Sequence, residues 1–186
     1  MAAQDHVFIK IGLAGKKADS LAVARTDRRG QPIAAFSECV LIDEPFSDLI
    51  ERMKAVITPP RFSKEYVVVA HHAEVERAHL QKEHAPHASR SESEVFPGRL
   101  WLSLSQIVWP MVEAQMLAST NFDTVCSYFG VVRDGKANSD TEADCTALVR
   151  IYFEMMRRYK TSLIAEEGIR DFAGPTVDKF RKLVGF

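Results

Sequence analysis

The sequence predicts an α/β domain on a mixed sheet: three antiparallel strands first, parallel strands added after them, and helices on the flanks. Three observations predict it. Residues 6–42 hold three β-rich stretches separated by short turns rich in glycine. Residues 44–57 switch to helical spacing. Residues 66–70 (YVVVA) are then a continuous apolar β run, of the kind buried on both faces of a parallel sheet.

Each element has its local reason. Residues 6–11 (HVFIKI) alternate, as a half-buried strand does. Gly12 and Gly15 then interrupt the pattern, and 20–26 (SLAVART) is a second strand. DRRGQP supplies a turn through Gly30 and Pro32, and 33–42 is a third strand. Over 44–57, Phe46, Leu49, Ile50, Met53 and Ile57 fall on one helical face, which stops at Pro59 and Pro60. After the 66–70 strand, 72–83 reads as a helix. Residues 85–98 are polar with two prolines and read as a loop. A short strand covers 100–104 and a helix 105–117. Asn121 caps a short helix carrying Phe122, Val125, Tyr128 and Phe129. Residues 132–140 read as a loop. Residues 141–159 form the longest helix, with Leu148, Ile151, Tyr152, Met155 and Tyr159 on one stripe. A last helix is expected over 175–184, with Pro175 in its first turn.

The chain has 186 residues and reads as one domain over 1–186. Hydrophobic residues make up 46% and charged residues 26%, which excludes disordered and collagen-like classes. No stretch approaches the ~20 apolar residues of a membrane span, and the first residues do not read as a secretory leader, so a cytoplasmic protein with no membrane partner is expected. The net charge of −1 is less basic than a protein that grips duplex DNA by bulk electrostatics. Cys39, Cys126 and Cys145 are too few and scattered for a disulfide set or zinc site, and read as reduced core thiols.

Three segments carry a family resemblance. Val69-Ala70-His71-His72-Ala73-Glu74-Val75-Glu76 runs from strand into helix. Trp101 to Met111 and Phe122 to Val131 give an aromatic-led strand, a helix, and a short helix ending in Phe129-Gly130-Val131. Ser139 to Tyr152 opens the long helix. In this order they resemble the DnaQ-like 3′–5′ exonuclease superfamily, the DEDD group with an RNase H-like fold, over nearly the whole chain. In that family the first segment reads hydrophobic, Ala, His, Asn, small, any, Phe, Asp. The last helix carries a His-x4-Asp motif, and the opening strand carries Asp-x-Glu-Thr-x-Gly, where this chain has Lys10-Ile11-Gly12-Leu13-Ala14-Gly15.

The resemblance implies two-metal phosphodiester hydrolysis, with two divalent ions about 3.5–4 Å apart held by four carboxylates and a histidine activating the water. Position by position, this chain departs from it. The first carboxylate falls at Lys10, a cation, and the second at Gly12, which has no side chain. The third falls at Glu76, a like-charged variant. The general base falls at Ser139, and the last carboxylate is matched at Asp144. A unit charge ~4 Å from a dication interacts by about 8 kcal/mol at an effective dielectric of ~20, more than one surviving carboxylate restores. The sequence thus predicts a site that does not hold the catalytic metal pair. No cofactor is expected. The Lys10 ammonium is expected to take the metals' space and pair with Asp144, and with Glu76 as a second partner.

Other residues have plainer readings. His71 is structural under the resemblance, and His72 stands where asparagine is usual. His79, His84 and His87 read as a solvated face and loop. Asp5 lies five residues before Lys10, so strand alternation puts it on the opposite face. Asp123, Asp134 and Asp140 read as cap and turn residues, and Trp101 and Trp109 as core anchors. Arg157, Arg158 and Lys160 complement a helix terminus. Lys16, Lys17, Arg25, Arg28 and Arg29 surround the early hairpin, either as a patch for nucleic-acid phosphates or as solvated turns.

The expected function is a catalytically degenerate exonuclease-like protein acting as a binding or assembly subunit for a protein partner, single-stranded nucleic acid, or both. The alternatives are an active 3′–5′ exonuclease using Mg²⁺ or Mn²⁺ through Glu76 and Asp144, and a subunit completed by another chain. A homodimer is an expectation of the resemblance only.

Overall fold

The computed structural model describes residues 5–15, 17–41, 44–58, 66–84, 95–96, 99–133 and 140–165, with side chains over 141–158 of the last segment. Alternation of apolar residues draws the first three strands together. β1 (Asp5–Ala14), β2 (Lys17–Thr26) and β3 (Pro32–Cys39) form an antiparallel meander. The all-apolar β4 (Tyr66–Ala70) pairs parallel to β1, and β5 (Leu100–Ser103) pairs parallel to β4. The strand order is β3-β2-β1-β4-β5, with both edges left to β3 and β5. The mixed sheet and its helices are the α/β, RNase H-like arrangement expected.

Side-chain alternation splits the core into two layers. Val7, Ile9 and Ile11 of β1 face α1 (Phe46–Ile57) and α2 (Ala73–His84), where Leu49, Ile50, Met53, Ile57 and Leu80 are buried. Phe8 points the other way. There it meets the layer of α3 (Leu104–Glu113), α4 (Phe122–Phe129) and α5 (Asp140–Ala165), through Val108, Val125, Leu148, Ile151 and Tyr152. Asn121 caps α4 as expected, its Oδ1 accepting from the Asp123 N–H at 2.9 Å. Gly130 ends that helix at φ 68°, a left-handed conformation that costs glycine nothing.

Several expectations need correction. Trp109 is 52% exposed, because α3 buries its Leu104–Val108 stripe and turns the indole outward. Its N–H donates to Glu113 Oε1 at 3.0 Å. Cys39 is exposed at the end of an edge strand, whereas Cys126 and Cys145 are buried. His84 is buried rather than solvated, its Nε2 3.0 Å from Glu51 Oε1 across the α1–α2 seam. The long helix starts at Asp140 and runs to Ala165, past the expected end at 159. The loop at 85–94 and 97–98, the prolines at 59–60, His87, Asp134 and the helix over 175–184 lie outside the described residues.

Asp5 and Arg25 form a buried pair beneath this sheet. Arg25 Nη2 lies 3.1 Å from Asp5 Oδ2, and Nη1 donates to the Ile57 carbonyl at 3.0 Å. Both residues are under a tenth exposed. Removing one partner strands the other in a medium that solvates charge poorly. Asp5→Ala is therefore expected to cost about 3–5 kcal/mol in urea unfolding, with Asp5→Leu/Arg25→Met recovering most of it. A loss below about 1 kcal/mol would put the pair with surface ion pairs.

A candidate functional site at the carboxyl ends of β1 and β4

In open α/β sheets the crevice beyond the carboxyl ends of parallel strands is where side chains from several elements converge. Here β4 ends at Ala70, just past the Phe8–Val69 pair, while β1 runs on to Ala14. Lys10 and Gly12 share the sheet face of Phe8, toward α5. The chain leaves β4 through His71 and His72 and enters α2, whose first turn carries Glu76 back toward β1.

Glu76 is buried and doubly tied to β1. Its Oε2 accepts from the Ile11 N–H at 3.1 Å, and its Oε1 lies 3.6 Å from Lys10 Nζ. Burial pushes the carboxyl up to about 7. The Lys10 ammonium and the Ile11 N–H pull it down, and the Asp144 charge adds to the rise. Desolvation wins because the ammonium stands beyond ideal contact and is itself a quarter exposed.

Lys10 therefore takes Glu76 as its partner, correcting the expected Lys10–Asp144 pair. Asp144 is occupied otherwise: Arg133 Nη1 donates to its Oδ1 at 2.9 Å, while Nη2 meets Asp123. Arg133 follows the Gly130 cap closely enough to reach both acids, one on α4 and one on α5. Asp123, expected as a cap residue, is also an ion-pair partner.

The space beside Gly12 is filled. Ser20 Oγ and Thr141 Oγ1 are hydrogen-bonded at 2.7 Å, and a Cβ added at Gly12 would overlap both oxygens. No side chain fits position 12 unless that pair moves. Among the described residues, no three His, Cys, Asp or Glu side chains converge as a metal site would require.

His71 is a brace. Its Nε2 meets the Thr120 carbonyl at 2.8 Å, joining the β4 exit to the turn before α4, and its ring packs on Phe122. Burial is the main force that lowers it to about 4, and the nearby His72 and Lys10 charges lower it further. The Thr120 carbonyl opposes them. At neutral pH the ring is uncharged and donates its Nε2 proton to Thr120.

The basic hairpin residues do not form one patch. Arg25 is buried against Asp5 and drops out. Lys17 opens β2 at the cleft end, whereas Arg28 and Arg29 lie beyond its far end. At ~3.3 Å per residue, the ten residues of β2 set them roughly 30 Å apart. Lys16 and Ser139 lie outside the described residues. Sequence reasoning missed Arg133, Ser20 and Thr141. No spacing rule marks Arg133, and the hydroxyl pair joins residues 121 positions apart. A missing side chain at Gly12 was the one available sign that something else fills the space.

No protein-family model matches the chain, and no curated protein does. Solved structures match in fold. The structure described as "3'-end specific recognition of histone mRNA stem-loop by 3'-exonuclease" aligns at TM-score 0.60 and 12% identity, over 85% of this chain and 84% of that one. A full-length 3′-exonuclease aligns at 0.57 and 11%, over 86% and 84%. Exonuclease I aligns at 0.60 and 12%, over 87% of this chain and 43% of its own. At such identities the likeness is one of fold, and the fold is that of 3′-exonucleases.

Glu76 and His71 act oppositely on stability. Glu76 binds more protons folded than unfolded between its ordinary 4.5 and about 7, so its contribution falls as pH rises through that window. His71 binds fewer between about 4 and its ordinary 6.5, so its contribution rises. Across the shared range they offset one another. Glu76→Gln removes one side, so its stability relative to wild type should climb by up to about 3 kcal/mol from acid to neutral pH in urea titrations. A relative stability that stays flat would contradict the raised Glu76 carboxyl.

Proposed function

We propose that this chain is a catalytically silent member of the exonuclease fold, serving as a binding or assembly subunit. The observation that carries the reading is that an ammonium and a neutral hydroxyl pair stand where the resemblance implies two strand carboxylates. The Lys10 ammonium neutralises Glu76 at 3.6 Å, and the Ser20–Thr141 pair fills the space beside Gly12. Two-metal hydrolysis needs hard oxygen donors around both ions. Of the four positions implied by the family resemblance, only Glu76 and Asp144 bear carboxylates, and each is engaged by a protein cation. The donor set does not fit the metal pair.

The same residues argue against a polyanion in the cleft. Lys10 and Arg133 face Glu76, Asp123 and Asp144, so these groups hold no surplus positive charge. A protein partner fits the surface better. Trp109 and Met116 are each more than half exposed on a stretch whose one charged residue over 104–122 is Glu113. Aromatic and methionine enrichment with few charges is typical of interface centres.

The test is a nuclease assay. Purified protein with Mg²⁺ or Mn²⁺ and an end-labelled single strand should release no product above the protein-free background. Digestion that Asp144→Ala abolishes would overturn the reading in favour of an active enzyme using Glu76 and Asp144. Digestion that appears only on adding a second chain would show a subunit completed in trans.

A further inference from the structure

We propose that the free edge of β3 is an interface for a second copy of this chain, joined by antiparallel strand pairing about a two-fold axis. The two edges of the sheet are finished differently. β5 is four residues long and passes directly into α3. β3 is eight residues long, and among the described residues no strand lies beyond it.

The register fixes which groups β3 offers. The Val40 N–H donates to the Asp19 carbonyl at 2.8 Å, in phase with the Ser20–Cys39 and Leu21–Glu38 pairs. In an antiparallel ladder, hydrogen-bonded and non-hydrogen-bonded pairs alternate. Ala34, Phe36 and Glu38 therefore turn their backbone groups toward β2, and Ile33, Ala35, Ser37 and Cys39 turn theirs outward. Edge strands are commonly guarded by lysine, proline or inward-pointing charge. Residues 33–39 hold no lysine or proline. Their one charge, Glu38, points to the α1 face, where Arg52 Nη2 holds it at 2.8 Å. The four outward residues are uncharged, and all are exposed.

A second copy is the occupant this row fits. A strand related by a two-fold presents the same groups in reverse order, so each outward donor meets an acceptor. The register centred on Phe36 uses all four residues: Ile33 pairs with Cys39 of the second copy, and Ala35 with Ser37. Glu38 then stands opposite Ala34, so no like charges meet along the strands. The helices leave room for it. α1 packs over β2 and β3. With strands ~4.8 Å apart, the two α1 helices would sit about 10 Å apart across the axis, an ordinary helix-packing distance. Val56 is 45% exposed and lies one turn after Arg52, on the stripe that reaches β3, so this seam would cover it. The interface uses no cleft residue, so it stands whether or not the cleft is silent.

Sedimentation velocity over a dilution series tests it. One strand pair is a small interface, so a reversible dimer with a dissociation constant on the order of 10 µM is expected. Ala35→Pro removes an outward N–H from each copy and spares the β2 ladder, so it should weaken the dimer roughly 10–100-fold. Ser37→Lys, an exposed change that keeps every backbone group, should weaken it too. Melting curves report whether either variant has lost the fold. Mild oxidation reads the register. Residues 33 and 39 are roughly 20 Å apart along one strand, too far to join within a chain. Ile33→Cys should therefore give covalent dimers through Cys39 of the second copy, and the wild-type chain should not. The proposal is overturned by a monomer at every concentration up to about 100 µM. It is also overturned by a dimer that Ala35→Pro and Ser37→Lys leave as tight as wild type, or by Ile33→Cys chains that crosslink no more than wild type does. None of these readings involves a metal or a nucleic acid, so failure here is separable from any nuclease result.

Discussion

A carboxylate buried at the end of a sheet must find its counter-charge close by, and Glu76 finds it in Lys10. The acid sits in the first turn of α2 and the base on β1, so their proximity fixes how the helix leaves β4 and returns over the neighbouring strand. The Ile11 N–H adds a backbone anchor to the same oxygen pair. Desolvation still outweighs both and leaves the group near neutral titration. The arrangement is thus electrostatically tense: it is held by a lysine where the fold's resemblance implies an acid.

The surrounding groups depend on that exchange. With a cation on β1, Asp144 needs its own partner, and Arg133 provides it while also reaching Asp123. With no side chain at Gly12, the hydroxyls of Ser20 and Thr141 close on one another and tie β2 to the start of α5. Each of these polar groups is satisfied from within the protein. Two cations, Lys10 and Arg133, thus answer three acids at the cleft.

The fold was legible because its signals are local. The YVVVA run, the stripe from Phe46 to Ile57 and the Asn121 cap each lie within a dozen residues, and each forms the expected element. In the cleft, Lys10 and Gly12 stood out in the sequence only as departures from the family pattern. What the sequence withheld depends on distance in the fold. Whether Lys10 meets Glu76 or Asp144 turns on how far α2 reaches across β1. Arg25 looked like a hairpin cation until the pleat placed it over Asp5. Trp109 looked like core until α3 chose which stripe to bury. The contact between Gly30 and Phe153 joins the β2–β3 turn to α5, and no local pattern announces it.

The central claim is that protein cations and hydroxyls occupy the place where divalent ions would be held. Manganese titration followed by electron paramagnetic resonance tests it most directly, because the hexa-aquo signal fades as ions bind. The account predicts that added protein leaves the free Mn²⁺ signal undiminished at millimolar metal. Loss of two ions per chain, reversed by Asp144→Asn, would contradict it.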